Sequence, residues 1–206
     1  MMRAEYTLLI LFFLSKELNA QQLSYTPDIV LGHRSLTYLH HVNYNFNNKI
    51  KINNLTLFDT EYSSDNANIF FIRNTFSYNV LRKVTFNVAF GMKNPGSFFT
   101  ISTQYRTGHP RYLFAYSIGT TYQRGFTLEQ SIALEYYPYL AENLQAYFNL
   151  LAIANINLEE YQRGLQFVRL GFKENKIIYG LALNADQFNN AKRRLVNTGI
   201  FIKYNF

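Results

Sequence analysis

Apolar and polar residues alternate with a period of two through most of the chain after residue 20. In the final segment Thr198, Ile200, Ile202, Tyr204 and Phe206 share one face, while Gly199, Phe201, Lys203 and Asn205 share the other. Val84, Phe86, Val88, Phe90 and Met92 alternate with Thr85, Asn87, Ala89, Gly91 and Lys93. The same pattern sets Phe114, Tyr116, Ile118, Thr120 and Tyr122 against Ala115, Ser117, Gly119, Thr121 and Gln123, and Ile177, Tyr179, Leu181 and Leu183 against Ile178, Gly180, Ala182 and Asn184. Alternation of this length specifies strand, because successive side chains of a strand point to opposite faces. It predicts twelve strands, near residues 23–33, 35–46, 50–60, 67–79, 82–93, 97–106, 111–123, 126–137, 143–157, 161–173, 176–188 and 194–206. Pro27 interrupts the first of them, whereas Pro95, Pro110 and Pro138 fall between segments, where a missing N–H harms no ladder.

The chemistry of the two faces separates the all-β classes. A soluble sandwich also alternates, but its solvent face should be rich in charge. Here the polar face is built from Gly, Ala, Ser, Thr and Asn with occasional charges, and the apolar face is heavy with Phe and Tyr. That combination suits a crowded polar lumen inside a lipid-facing wall. The expected fold is therefore all-β: a transmembrane antiparallel up-and-down β-barrel of about twelve strands, with ten as the alternative. Both termini of such a barrel lie on one side, which requires an even strand count. Reversals on the terminal, periplasmic side are then expected near 47–48, 80–81, 108–109, 138–142 and 174–175. The polar connection 60–66 falls on the outer side.

The N-terminus has a different pattern. Arg3 precedes the apolar run 8–14 and a polar stretch ending Leu18-Asn19-Ala20, which reads as a signal peptide over 1–20 with a barrel over 21–206. Removing 1–20 deletes Arg3, Lys16, Glu5 and Glu17, two cations and two anions, so the formal charge of +7 is unchanged. The basic residues are scattered and no nucleic-acid motif is present, so nucleic acid is not an expected partner. Cysteine is absent, which removes disulfides, thiolate metal sites and a cysteine lipid anchor. Aromatic residues make up 17 % of the chain, as 19 Phe and 17 Tyr without Trp.

With its Asn19-Ala20-Gln21-Gln22 processing segment, alternating body and terminal Thr198–Phe206, the chain resembles the small outer-membrane β-barrel proteins of Gram-negative bacteria, particularly those of Bacteroidota. The resemblance implies the outer membrane as location and its lipid as surroundings. It also implies that Ile200, Ile202, Tyr204 and Phe206 form the C-terminal signal read by the barrel-assembly machinery.

Ionisable side chains at membrane depth are costly toward lipid and belong inside. Alternation places Lys51, Arg73, Lys93, Arg106, Arg169, Lys173 and Lys203 in the lumen, with Asp59, Glu61, Glu129, Glu135 and Asp186. Two readings follow: a narrow pore passing small polar or anionic solutes, or a closed structural barrel in which opposite charges pair across the lumen. A third, a membrane enzyme acting on lipid or peptide, would need one of His33, His40, His41 and His109 near a nucleophile. His41 is expected inward and His40 outward, and neither a Gly-x-Ser-x-Gly elbow nor a His-Glu-x-x-His pair occurs. No catalytic residue, metal or cofactor is expected. The acidic pair Glu159-Glu160 reads as solvated surface charge, and Gly91, Gly119, Gly171, Gly180 and Gly199 as inward positions that relieve crowding.

Overall fold

The computed structural model describes residues 23–63, 68–94, 96–157, 161–188 and 192–206. The expected signal segment, the Glu159-Glu160 pair and residues 64–66 of the 60–66 connection lie outside these described residues.

The alternating segments form β1 (Leu23–Gly32), β2 (Ser35–Asn45), β3 (Ile50–Glu61), β4 (Ile69–Leu81), β5 (Val84–Lys93), β6 (Gly96–His109) and β7 (Tyr112–Tyr122). They continue as β8 (Phe126–Tyr136), β9 (Tyr139–Ala141), β10 (Leu144–Ile156), β11 (Tyr161–Glu174), β12 (Ile177–Phe188) and β13 (Arg193–Tyr204). All strands except β9 join in one antiparallel ring of twelve, closed where β13 pairs with β1 and Ile29 lies opposite Ile202. The reversals after β4, β6 and β11 fall at 82–83, 110–111 and 175–176, one or two residues beyond the expected positions. The three-residue β9 was not expected. It pairs with the start of β10, whose remainder pairs with β8, so β9 continues the β8 edge after Pro138. Proline has no N–H to contribute there, and the strand is cut in two.

Pro27 has a similar effect at the seam. The β1–β13 ladder runs from Gly32 to Asp28 and stops beside Pro27. The chain is tied again further on, where the Phe206 amide donates to the Tyr25 carbonyl at 3.0 Å and the two rings stack 5.5 Å apart. Ile200 and Ile202 point outward and are more than half exposed, while Phe201 is buried inside.

The outer surface carries Phe58, Phe76, Phe86, Phe90, Ile101, Ile118, Leu170, Leu181 and many further large apolar side chains, all exposed. Exposure on this scale is stable only against lipid, so the closed ring is a transmembrane barrel.

The ring is flattened. At Gly119 on β7 a Cβ would run into the Ile101 carbonyl and Ser102 of β6, and at Gly199 on β13 it would run into the Leu31 carbonyl and Gly32 of β1. These tight folds lie on opposite sides of the ring. A second opposed pair comprises Gly91 against β4 and Gly171 against Gly180 between β11 and β12. The four corners leave β1–β4 as one broad wall, facing another made of β7, β8, β10 and β11. Gly119→Val therefore obstructs a corner, with an expected loss of about 2–3 kcal/mol or more. A smaller fraction of heat-modifiable, folded protein on cold SDS gels would register it.

Candidate functional site

The inward positions build a lumen of two unlike halves. In the half away from the termini, Leu39 of β2, Leu57 of β3, Ile69 and Phe71 of β4, Phe98 of β6 and Phe167 of β11 form one buried apolar cluster, with Leu151 and Leu165 packed against it. β4 and β11 lie six strands apart around the ring, so this packing crosses the full lumen as a septum. The voids left within it are about 20 Å³ and about 10 Å³. Neither is larger than about one or two water molecules, so the septum leaves no continuous passage.

Charged groups are wedged around this septum as pairs. Arg73 Nη1 donates to Glu129 at 2.8 Å, and Thr121 Oγ1 donates to the other carboxylate oxygen at 2.8 Å. Arg163 grips Asp186 with two bonds of 3.1 and 2.6 Å and lies over the Phe188 ring at 4.8 Å. Arg169 Nε donates to Asp28 at 3.2 Å and its Nη1 to Asn184 at 2.7 Å, with the Phe201 ring 5.6 Å away. Arg34 binds both Asp59 and Glu61, while Thr37 Oγ1 donates to Asp59 at 2.8 Å. The buried Lys93 ammonium sits 5.0 Å above the Phe98 ring. Buried pairs of this kind hold the walls in register, because a partner left alone in a low dielectric is heavily penalised.

The half nearer the termini is open and wet. One chamber of about 490 Å³ is lined by Lys51, Arg73, Arg82, Lys83 and Arg106, with Asn43, Asn53, Ser77, Asn87, Ser102, Gln104 and further amides and hydroxyls. No carboxylate is among its lining residues. A second chamber of about 450 Å³ shares His41, Asn43, Gln104, Arg106 and Leu151 with the first and adds Asp28, Glu135, Arg169 and Lys203. Together they form a vestibule ending at the septum. Lys203 reaches Tyr147 Oη at 3.2 Å and Glu135 at 3.8 Å. Lys173 lies 5.0 Å over the Tyr137 ring. Lys51 and Arg106 have no carboxylate within ion-pair distance among the described residues.

Lys51, Arg73, Arg106, Glu135, Arg169 and Lys203 line the vestibule, Asp59, Lys93, Glu129 and Asp186 border the voids of the septum, Glu61 is held by Arg34, and Lys173 lies over Tyr137. Three members of the ion-pair set escaped the sequence reading. Arg163 has the same parity as Arg169, so the alternation contained it. Asp28 follows the proline that obscured β1, and Arg34 lies in a turn where no period applies. His41 lines the vestibule. His40 points outward, His33 contacts Thr198 at the strand end, and His109 stacks on Tyr112. Among the described residues none of the four is hydrogen-bonded to Ser, Asp or Glu.

No protein-family model matches the chain, and no curated protein matches it by sequence. Solved structures resemble it in fold. The KdgM porin superposes with a TM-score of 0.55 at 10 % identity, covering 89 % of this chain and 99 % of the other. The KdgM porin in complex with disordered oligogalacturonate gives 0.54 at 10 % identity, with coverages of 89 % and 99 %. The NanC porin gives 0.53 at 8 % identity, with 89 % and 98 % covered. At these identities the likeness is one of architecture, that of a closed porin-type β-barrel.

Asp28→Ala leaves Arg169 buried without its carboxylate, with an expected loss of about 3–5 kcal/mol. The double change Asp28→Leu with Arg169→Met should recover most of that loss. Urea unfolding of vesicle-embedded protein measures both.

Proposed function

We propose that this chain is a narrow outer-membrane pore for small polar or anionic solutes. The observation that carries this reading is the chamber with five cationic side chains and no lining carboxylate. Apart from Arg73, which is paired with Glu129, these cations have no carboxylate within ion-pair distance among the described residues, and within a low-dielectric wall their field concentrates anions. The surrounding amides and hydroxyls supply hydrogen bonds to a hydroxyl-bearing solute. The oligogalacturonate in complex with the KdgM porin is an anion of this type. Ile200, Ile202 and Tyr204 on the strand that closes the ring, with Phe206 just beyond it, serve in this reading as the assembly signal. Outer-membrane lipid and the assembly machinery are then its partners.

The septum favours a second reading, a barrel closed at rest that serves envelope integrity. Planar-bilayer recording separates the two. Wild-type protein should give small, anion-selective steps. Lys51→Glu with Arg106→Glu, both exposed to the vestibule, should bring the zero-current potential in a KCl gradient close to zero. Phe71→Ala with Phe167→Ala should raise conductance several-fold by emptying the septum. Folded protein that stays silent in the wild type and in the septum variant rules out the pore and leaves the closed barrel.

A further inference from the structure

The lipid-facing wall of β1–β4 carries a hydrogen-bonded polar chain where the rest of the exterior is mostly apolar. Tyr25 Oη meets Tyr38 Oη at 2.8 Å, and Tyr38 Oη lies 3.1 Å from His40 Nδ1. His40 Nε2 lies 3.2 Å from Asn54 Oδ1, which also accepts from Thr56 Oγ1 at 3.0 Å. Asn54 Nδ2 donates to Asn74 Oδ1 at 2.9 Å. Alternation places His40, Asn54, Thr56 and Asn74 on the outer face, with the exposed Phe58, Phe76 and Phe90. His40 is the sixth of eleven residues in β2, Asn54 the fifth of twelve in β3 and Asn74 the sixth of thirteen in β4. The chain therefore crosses the wall near mid-height, out of reach of water and headgroups.

The last link is open. Asn74 Nδ2 has no partner among the described residues, although it carries two hydrogens at a depth where an unmade hydrogen bond costs several kcal/mol. Asn74 Oδ1 receives one bond and has a second lone pair free. An amide with an unused donor and an unused acceptor is complementary to itself across a two-fold axis, since each copy can donate to the other. Neither an acyl chain nor a purely apolar partner satisfies that pair.

We infer that the β2–β4 wall is the interface of a homodimer in the membrane, centred on an Asn74–Asn74 amide pair with the His40–Asn54 link behind it. The inference rests on the transmembrane fold and is independent of conduction. The chain has no cysteine, so a single introduced thiol reports one position. Ile72→Cys, outward and next to Asn74 on β4, should form a disulfide-linked dimer with mild oxidant in full-length protein in phosphatidylcholine vesicles. Leu181→Cys, outward on β12 between Leu170 and Ile200 and off that wall, should not. Asn74→Leu should remain folded and heat-modifiable while its dimer weakens about tenfold, the worth of roughly 1–2 kcal/mol of interhelix-type polar contact in lipid. Monomers at every protein-to-lipid ratio overturn the inference. So does equal cross-linking at both positions, or an Asn74→Leu dimer as tight as the wild type.

Discussion

Inside a bilayer each backbone N–H and C=O needs a partner within the protein, since no water is present to supply one. A sheet meets that demand only by having no edge, so the pairing of β13 with β1 governs the remainder of the structure. It explains why the seam is secured twice, by the ladder opposite Gly199–Lys203 and again by the Phe206 amide on Tyr25. It also explains how Pro27 is accommodated. The proline sits where the first tie ends, and the second restores closure beyond it.

Closure alone would allow a round tube. The glycine corners instead press two four-strand walls together, and the inward side chains then meet across the gap. Where these are Leu, Ile and Phe they form the septum, and where they are Asn, Ser, Lys and Arg they leave a wet vestibule. The ion pairs follow from the same geometry. Arg169 and Asp28 lie on facing walls, so their contact depends on flattening as much as on sequence.

Much of this was legible as pattern. Strand existence, closure, the side on which Lys51, Arg106 and Lys203 fall, and the opposite orientations of His40 and His41 all follow from a period of two. The division of the lumen does not. Phe71 and Phe167 stand on their strands as ordinary inward residues, and only the distance between walls makes them neighbours. Their alternation contains no term for that distance. The glycines were visible as inward positions, but their arrangement in opposed pairs depends on which strands lie six apart in a closed ring. Asp28 and Arg34 were hidden for local reasons, one behind a proline and the other in a turn.

The septum has a consequence for the membrane potential. An electrolyte-filled vestibule is close to an equipotential, so little of the voltage falls along it. The drop is concentrated across the thin apolar layer between Leu39, Phe71 and Phe167, where the field exceeds that of the surrounding bilayer. The Arg73–Glu129 and Arg163–Asp186 pairs border that layer and experience most of this field. A wall built to exclude lipid from a lumen thus also behaves as a capacitor with charged residues at its plates.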